Sequence, residues 1–175
     1  MGSGHAGGQH DVSGSGEYNI CLDGNPCAQA DIGQDQWRWC KLCQLLCFDG
    51  KTSFPGGGAH ISAGSGNYVL TAAAPPSPSM QSGWKWCNKF YGIAYANNPS
   101  NGRFPRGGTH NHGGSSEYSI IHYKALGPNE QDKWSWCSDC QQLWYSGNGD
   151  GGCCHAPMGG HTKAGSGKYV LRFVN

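Results

Sequence analysis

In 175 residues the chain carries 30 glycines, ten cysteines and seven tryptophans, but only 13% charged side chains and a formal net charge of +1. So little charge gives no field to draw the protein onto nucleic acid or anionic lipid, and no nucleic acid partner is expected. Glycine without a strict Gly-X-Y period excludes collagen, the aromatic content argues against disorder, and nothing approaches the ~20 apolar residues of a membrane span.

The opening MGSGHAGG has neither the basic start nor the apolar run of a secretory signal. Either a signal was removed beforehand or the protein never had one, and the ten cysteines suggest disulfides, metal sites, or both. The first element is a half-unit over residues 1–30. It holds His10, a GSG turn at Gly14–Gly16 and Tyr18 in a short strand, Glu17–Leu22. The second is WRWCKLC, Trp37–Cys43, whose Trp37–Cys40 reads as a strand with both tryptophans on one face. Leu45–Phe48 follows as the other arm of a bent hairpin. The loop DGKTSFPGGG then leads to His60, a GSG turn and the strand Asn67–Thr71 with Tyr68.

A linker, TAAAPPSPSMQSG, brings the chain to WKWCNKF, Trp84–Phe90. Strands at Trp84–Cys87, Ile93–Ala96 and Glu117–Tyr123 surround the loop NNPSNGRFPRGG, His110 and a GSS turn. KALGPNEQDK opens the last stretch, WSWCSDC, Trp134–Cys140, with strands at Trp134–Cys137, Leu143–Tyr145 and Lys168–Phe173. Its loop, SGNGDGGCCHAPMGG, ends at His161. No segment holds a 3.6-residue apolar period over three turns, so helix is not expected.

The phrases repeat. His10, His60, His110 and His161 are 50, 50 and 51 residues apart, and a tyrosine stands eight residues after each: Tyr18, Tyr68, Tyr118 and Tyr169. A period of ~50 residues marks a repeat architecture. The expected fold is all-β: three tandem Gly/Trp/Cys-rich β-meander units (31–78, 79–128, 129–175) plus the N-terminal half-unit, in one domain over 1–175. The matched ends fit a closed pseudo-threefold ring, trefoil- or prism-like, an open array with a capping half-unit, or strand exchange in a homodimer.

The sharpest chemical signal lies in the last unit. Cys137 and Cys140 form a CxxC, and Cys154 and His161 complete a tetrahedral set for structural zinc. A disulfide, or free buried cysteines, is the first reading there, and zinc the second. Unit one keeps Cys40 and Cys43 but has Phe54 in the loop. Unit two keeps Cys87 but has Phe90 and Phe104, and an aromatic ring replaces a core cysteine but never a metal ligand. Cys21, Cys27 and Cys47 are extra, and their pairing is not readable from sequence.

The phrase WxWCxxCQxLx[FY], then [CF]PxGGxH and GSGxY, resembles tandem modules of largely uncharacterised bacterial and fungal proteins. The resemblance spans nearly the whole chain. It implies repetition and an extracellular or accessory role, and it supplies no ligand. Those modules usually carry Cys before Pro, where this chain has Phe54 and Phe104.

Equal repeated sites suit binding better than catalysis. No paired carboxylates, phosphate loop or EF-hand recur with the period, so an enzyme is not expected. The expected function is a multivalent carbohydrate-binding protein, a lectin for glycans or glycoproteins. Its sites lie near His10, Tyr18, His60, Tyr68, His110, Tyr118, His161 and Tyr169, with Trp39, Trp86 or Trp136 stacking on the sugar. The alternatives are a structural, interaction or toxin component and a zinc-binding module.

Overall fold

A computed structural model describes residues 33–49, 59–72, 77–103, 107–149, 151–154 and 159–174. The half-unit 1–30, with His10, Tyr18, Cys21, Cys27 and the strand expected at 17–22, lies outside the described residues. The described residues belong to one compact unit, Ile32–Asn175.

That unit is all-β. Its strands are β1 (Gly33–Trp39), β2 (Leu46–Phe48), β3 (Asn67–Ala72), β4 (Met80–Trp86), β5 (Ile93–Tyr95), β6 (Glu117–His122), β7 (Glu130–Trp136), β8 (Leu143–Tyr145) and β9 (Tyr169–Val174). One 3₁₀ turn, Ser146–Asn148, follows β8. The described residues hold no helix long and apolar enough to cross a membrane.

The strands fall into three matching triplets. In each, a long strand pairs antiparallel with a short return strand and with the strand that ends the triplet: β1 with β2 and β3, β4 with β5 and β6, β7 with β8 and β9. The third strands close on one another, since β3 pairs β6, β6 pairs β9 and β3 pairs β9. The short strands close a second ring through the amides of Phe48, Tyr95 and Tyr145. These donate to the carbonyls of Tyr91, Gln141 and Gln44, at 2.7, 2.8 and 2.9 Å. Ring closure gives the backbone groups of edge strands partners and removes a template for aggregation.

The long strands begin four residues earlier than the Trp phrase alone suggests and stop at its second tryptophan. The extra length carries a bulge. Register slips between Gln34 and Trp37, Gln81 and Trp84, and Gln131 and Trp134. The residue before each tryptophan takes positive φ: 66° at Gln36, 87° at Gly83, 64° at Lys133. The bulge bends the strand so that Trp37, Trp84 and Trp134 turn fully inward.

There each ring meets a tyrosine of another triplet edge-on. The pairs are Trp37–Tyr118, Trp84–Tyr169 and Trp134–Tyr68, with centroids 5.4, 5.3 and 5.1 Å apart. A glutamine answers each phenol: Tyr68 donates to Gln131 at 2.6 Å, Tyr169 to Gln81 at 2.7 Å, and Tyr118 to Gln34. Gln81 and Gln131 also accept from the indole N–H of Trp84 and Trp134, at 3.2 and 3.1 Å. One amide oxygen thereby satisfies two buried donors from two triplets. The Gly/Ser turns are equally structural: the hydroxyls of Ser65, Ser115 and Ser166 accept from the amides of Trp39, Trp86 and Trp136 at 2.7–2.8 Å.

Candidate metal centres

The CxxC segments fold as tight turns between the long and short strands. The amides of Gln44, Tyr91 and Gln141 donate back to the carbonyls of Cys40, Cys87 and Cys137, at 2.8, 2.7 and 2.8 Å. Positive φ at these three residues, 62°, 59° and 63°, closes the turn. Both cysteines of a CxxC therefore face the same side, where they join a second core cluster of Cys40, Cys43, Leu45, Cys47, Cys87, Phe90, Cys137, Cys140, Trp144 and Cys154.

The repeated histidines close onto this cluster. His60, His110 and His161 each place Nε2 on a backbone carbonyl of the next triplet: Phe90 at 3.0 Å, Cys140 at 2.8 Å and Cys43 at 2.9 Å. A carbonyl only accepts, so Nε2 carries the hydrogen, and the neutral ring presents its lone pair at Nδ1. A metal-binding histidine is held in this way by its outer nitrogen.

In the last triplet, His161 Nδ1 lies 3.6 Å from Cys140 Sγ, and Cys137 Sγ lies 3.4 Å from Cys154 Sγ. The ligand atoms of Cys137, Cys140, Cys154 and His161 all lie within 4.8 Å of one another. A tetrahedral zinc with bonds of ~2.3 Å to sulfur and ~2.0 Å to nitrogen has S···N edges of about 3.5 Å and S···S edges of about 3.8 Å. The histidine contact matches its edge, and the Cys137–Cys154 contact needs to open by a few tenths of an ångström. All four residues are buried, at 0–4% exposure.

The disulfide expectation is corrected among the described residues. Cys40, Cys43, Cys47, Cys87, Cys137, Cys140, Cys153 and Cys154 are free thiols, and the 3.4 Å contact is far beyond a bond of about 2.05 Å. The turns bring the Cys137/Cys140 pair to Cys154 and His161, and the Cys40/Cys43 pair to His60, arrangements that could hold an ion.

The three thiols perturb one another. Hydrogen bonds from Cys140 and Cys154 hold Cys137 well below the usual thiol range, and Thr162 N–H points at its sulfur at 3.5 Å. Burial drives Cys140 well up. The hydrogen bond to Cys137 and burial raise Cys154 to about 12. A bound divalent ion would let all three thiols ionise.

The first triplet holds a related cluster. Cys40, Cys43 and His60 also keep their ligand atoms within 4.8 Å of one another. Burial alone would lower His60, but the thiols of Cys40 and Cys43 more than reverse it, to about 9. In the middle triplet Phe90 stands where the second cysteine would, and burial lowers His110 to about 4.

Of the residues expected at ligand sites, the structure brings His161 together with the zinc set and His60 with Cys40 and Cys43. Tyr68, Tyr118 and Tyr169 sit in the tryptophan core. Trp39, Trp86 and Trp136 are half-buried against that core, and Trp86 stacks on Tyr91 with centroids 5.6 Å apart and planes at 10°. Gln34, Gln81 and Gln131 were not singled out, although a glutamine three residues before every Trp-x-Trp was there to be read. Comparison with family models, curated proteins and solved structures returned no match for the chain.

Proposed function

We propose that the protein is a zinc-stabilised, non-catalytic binding scaffold, with the ion held by Cys137, Cys140, Cys154 and His161. One observation carries this reading. Three buried thiols and a histidine Nδ1 converge within 4.8 Å while the histidine's other nitrogen is pinned to Cys43 O. Four protein ligands fill a tetrahedral shell and leave no position for substrate or water, which is the pattern of structural rather than catalytic zinc. The test is metal analysis of the reduced, purified chain, with Cys154→Ser as control. The reading requires tightly held zinc that the substitution releases. A folded, reduced protein that binds no zinc ends it.

Carbohydrate binding is the second reading, favoured by one surface feature. A groove of about 230 Å³ is lined by Gln34, Phe48, Trp86, Ser115 and Ser116, with Trp37 and Tyr118 beneath. An aromatic face beside amide and hydroxyl groups suits the apolar face and hydroxyl rim of a sugar ring. A glycan array probed with and without chelator tests it, with Trp86→Ala as control. Binding to a coherent glycan family that falls at least tenfold in the variant supports it. A blank array from folded protein sinks it for the glycans printed.

A further inference from the structure

We infer that Cys40, Cys43, Cys47 and His60 form a second zinc-class metal site, whose fourth ligand comes from a different place in the fold than in the last triplet. The inference extends the zinc reading above. Cys47 Sγ lies 3.4 Å and Cys43 Sγ 3.6 Å from His60 Nδ1. Both match the S···N edge of about 3.5 Å expected around tetrahedral zinc; the atoms that already lie within 4.8 Å of one another are those of Cys40, Cys43 and His60, and the Cys47 thiol swings inward to complete the shell. His60 Nε2 is held by Phe90 O at 3.0 Å, the same outer contact that orients His161. Cys40, Cys43 and Cys47 are 2–7% exposed.

The register shows where Cys47 stands. It pairs with Arg38 as Ala94 pairs with Lys85 and Trp144 with Ser135, so residues 47, 94 and 144 are equivalent. In the last triplet this place is filled by Trp144, stacked on His161 at 4.9 Å, and the third thiol arrives from the loop as Cys154. In the first triplet the short strand supplies the thiol itself.

Core filling alone does not explain these cysteines. The same fold fills the positions of Cys43 and Cys47 with Phe90 and Ala94 in the middle triplet. Between Cys47 and Cys137 the sequence has Cys87 as its one cysteine. The two triplets that keep the second CxxC cysteine each bring a third thiol to the cluster, by separate routes, and the triplet that lost it has no third thiol to bring. A small pocket of about 90 Å³, lined by Trp39, Cys40, Cys47 and His60 among others, gives an ion a way in.

The experiment is titration of the full, reduced chain with Co²⁺ and Zn²⁺, read by native mass spectrometry and by the visible spectrum of the cobalt form. Wild type takes two ions, both in tetrahedral thiolate sites. Cys47→Ala, which installs the middle triplet's own residue, takes one, and so does Cys154→Ser. Cys47→Ser, closer in volume, repeats the test if the alanine variant does not fold. A wild type with one ion, lost in Cys154→Ser and kept in Cys47→Ala, overturns the second site and leaves the first standing. Two tetrahedral ions in a folded Cys47 variant also overturn it. A wild type that takes no ion overturns both.

Discussion

His60, His110 and His161 each join two triplets through Nε2 on a carbonyl ahead, and Nδ1 of His60 and His161 faces a cysteine of its own CxxC turn. What that second nitrogen meets sets the ring's chemistry. His110 has Phe90 in place of the second cysteine, and burial lowers it from the ordinary 6.5 to about 4. The folded ring stays neutral while the unfolded ring protonates, so its contribution is complete above pH 6.5 and lost as pH falls from 6.5 to 4. An NMR titration should place its midpoint near 4, and a midpoint at the ordinary value would contradict the burial argument. Cys154→Ser should release one zinc. For an ion held at a hundred times its Kd, that costs about 2.7 kcal/mol, or roughly 5–10 °C in Tm. Calorimetry of both proteins, with and without chelator, checks it: chelator should lower the wild type and barely move the variant at that site. The last cluster was legible because CxxC, Cys and His carry their spacing openly. Cys47 was not, because its partnership depends on hairpin register.

At the scale of elements, the bulged long strand organises the fold. It sends one tryptophan into the core and places a glutamine to receive a phenol from another triplet. Gln81→Ala removes the acceptor for both Tyr169 and Trp84 and should cost about 1–3 kcal/mol in urea unfolding. A surface-like change below half a kilocalorie would contradict that role. The strand families were readable from aromatic alternation and Gly/Ser turns. The early strand starts were not, because Gly33–Gln36, Met80–Gly83 and Glu130–Lys133 are polar or glycine-bearing and pair only once their neighbours exist. Tyr68, Tyr118 and Tyr169 carried a ligand-site expectation. The structure spends their hydroxyls on glutamines instead.

At the scale of the molecule, three triplets close by the same two rings of contacts, and no triplet completes its own core. Trp84 packs on Tyr169 of the last triplet and Tyr95 of its own. Trp84→Ala should therefore cost about 3–5 kcal/mol and lower one cooperative transition for the whole unit, Ile32–Asn175. Separate transitions in calorimetry would show triplets that stand alone. The matching of the three triplets among the described residues was legible from the spacing of His60, His110 and His161. A closed ring was one of three arrangements that the matched ends allowed, and the choice among them rests on β3, β6 and β9 pairing across more than forty residues of chain.

The most direct measurement is X-ray absorption at the zinc edge on zinc-loaded Cys47→Ala protein, which isolates the last-triplet site. The structure predicts a shell of three sulfurs at about 2.3 Å and one imidazole nitrogen at about 2.0 Å. A shell of oxygen and nitrogen alone, or zinc that washes out of folded and reduced protein, would contradict the metal centre.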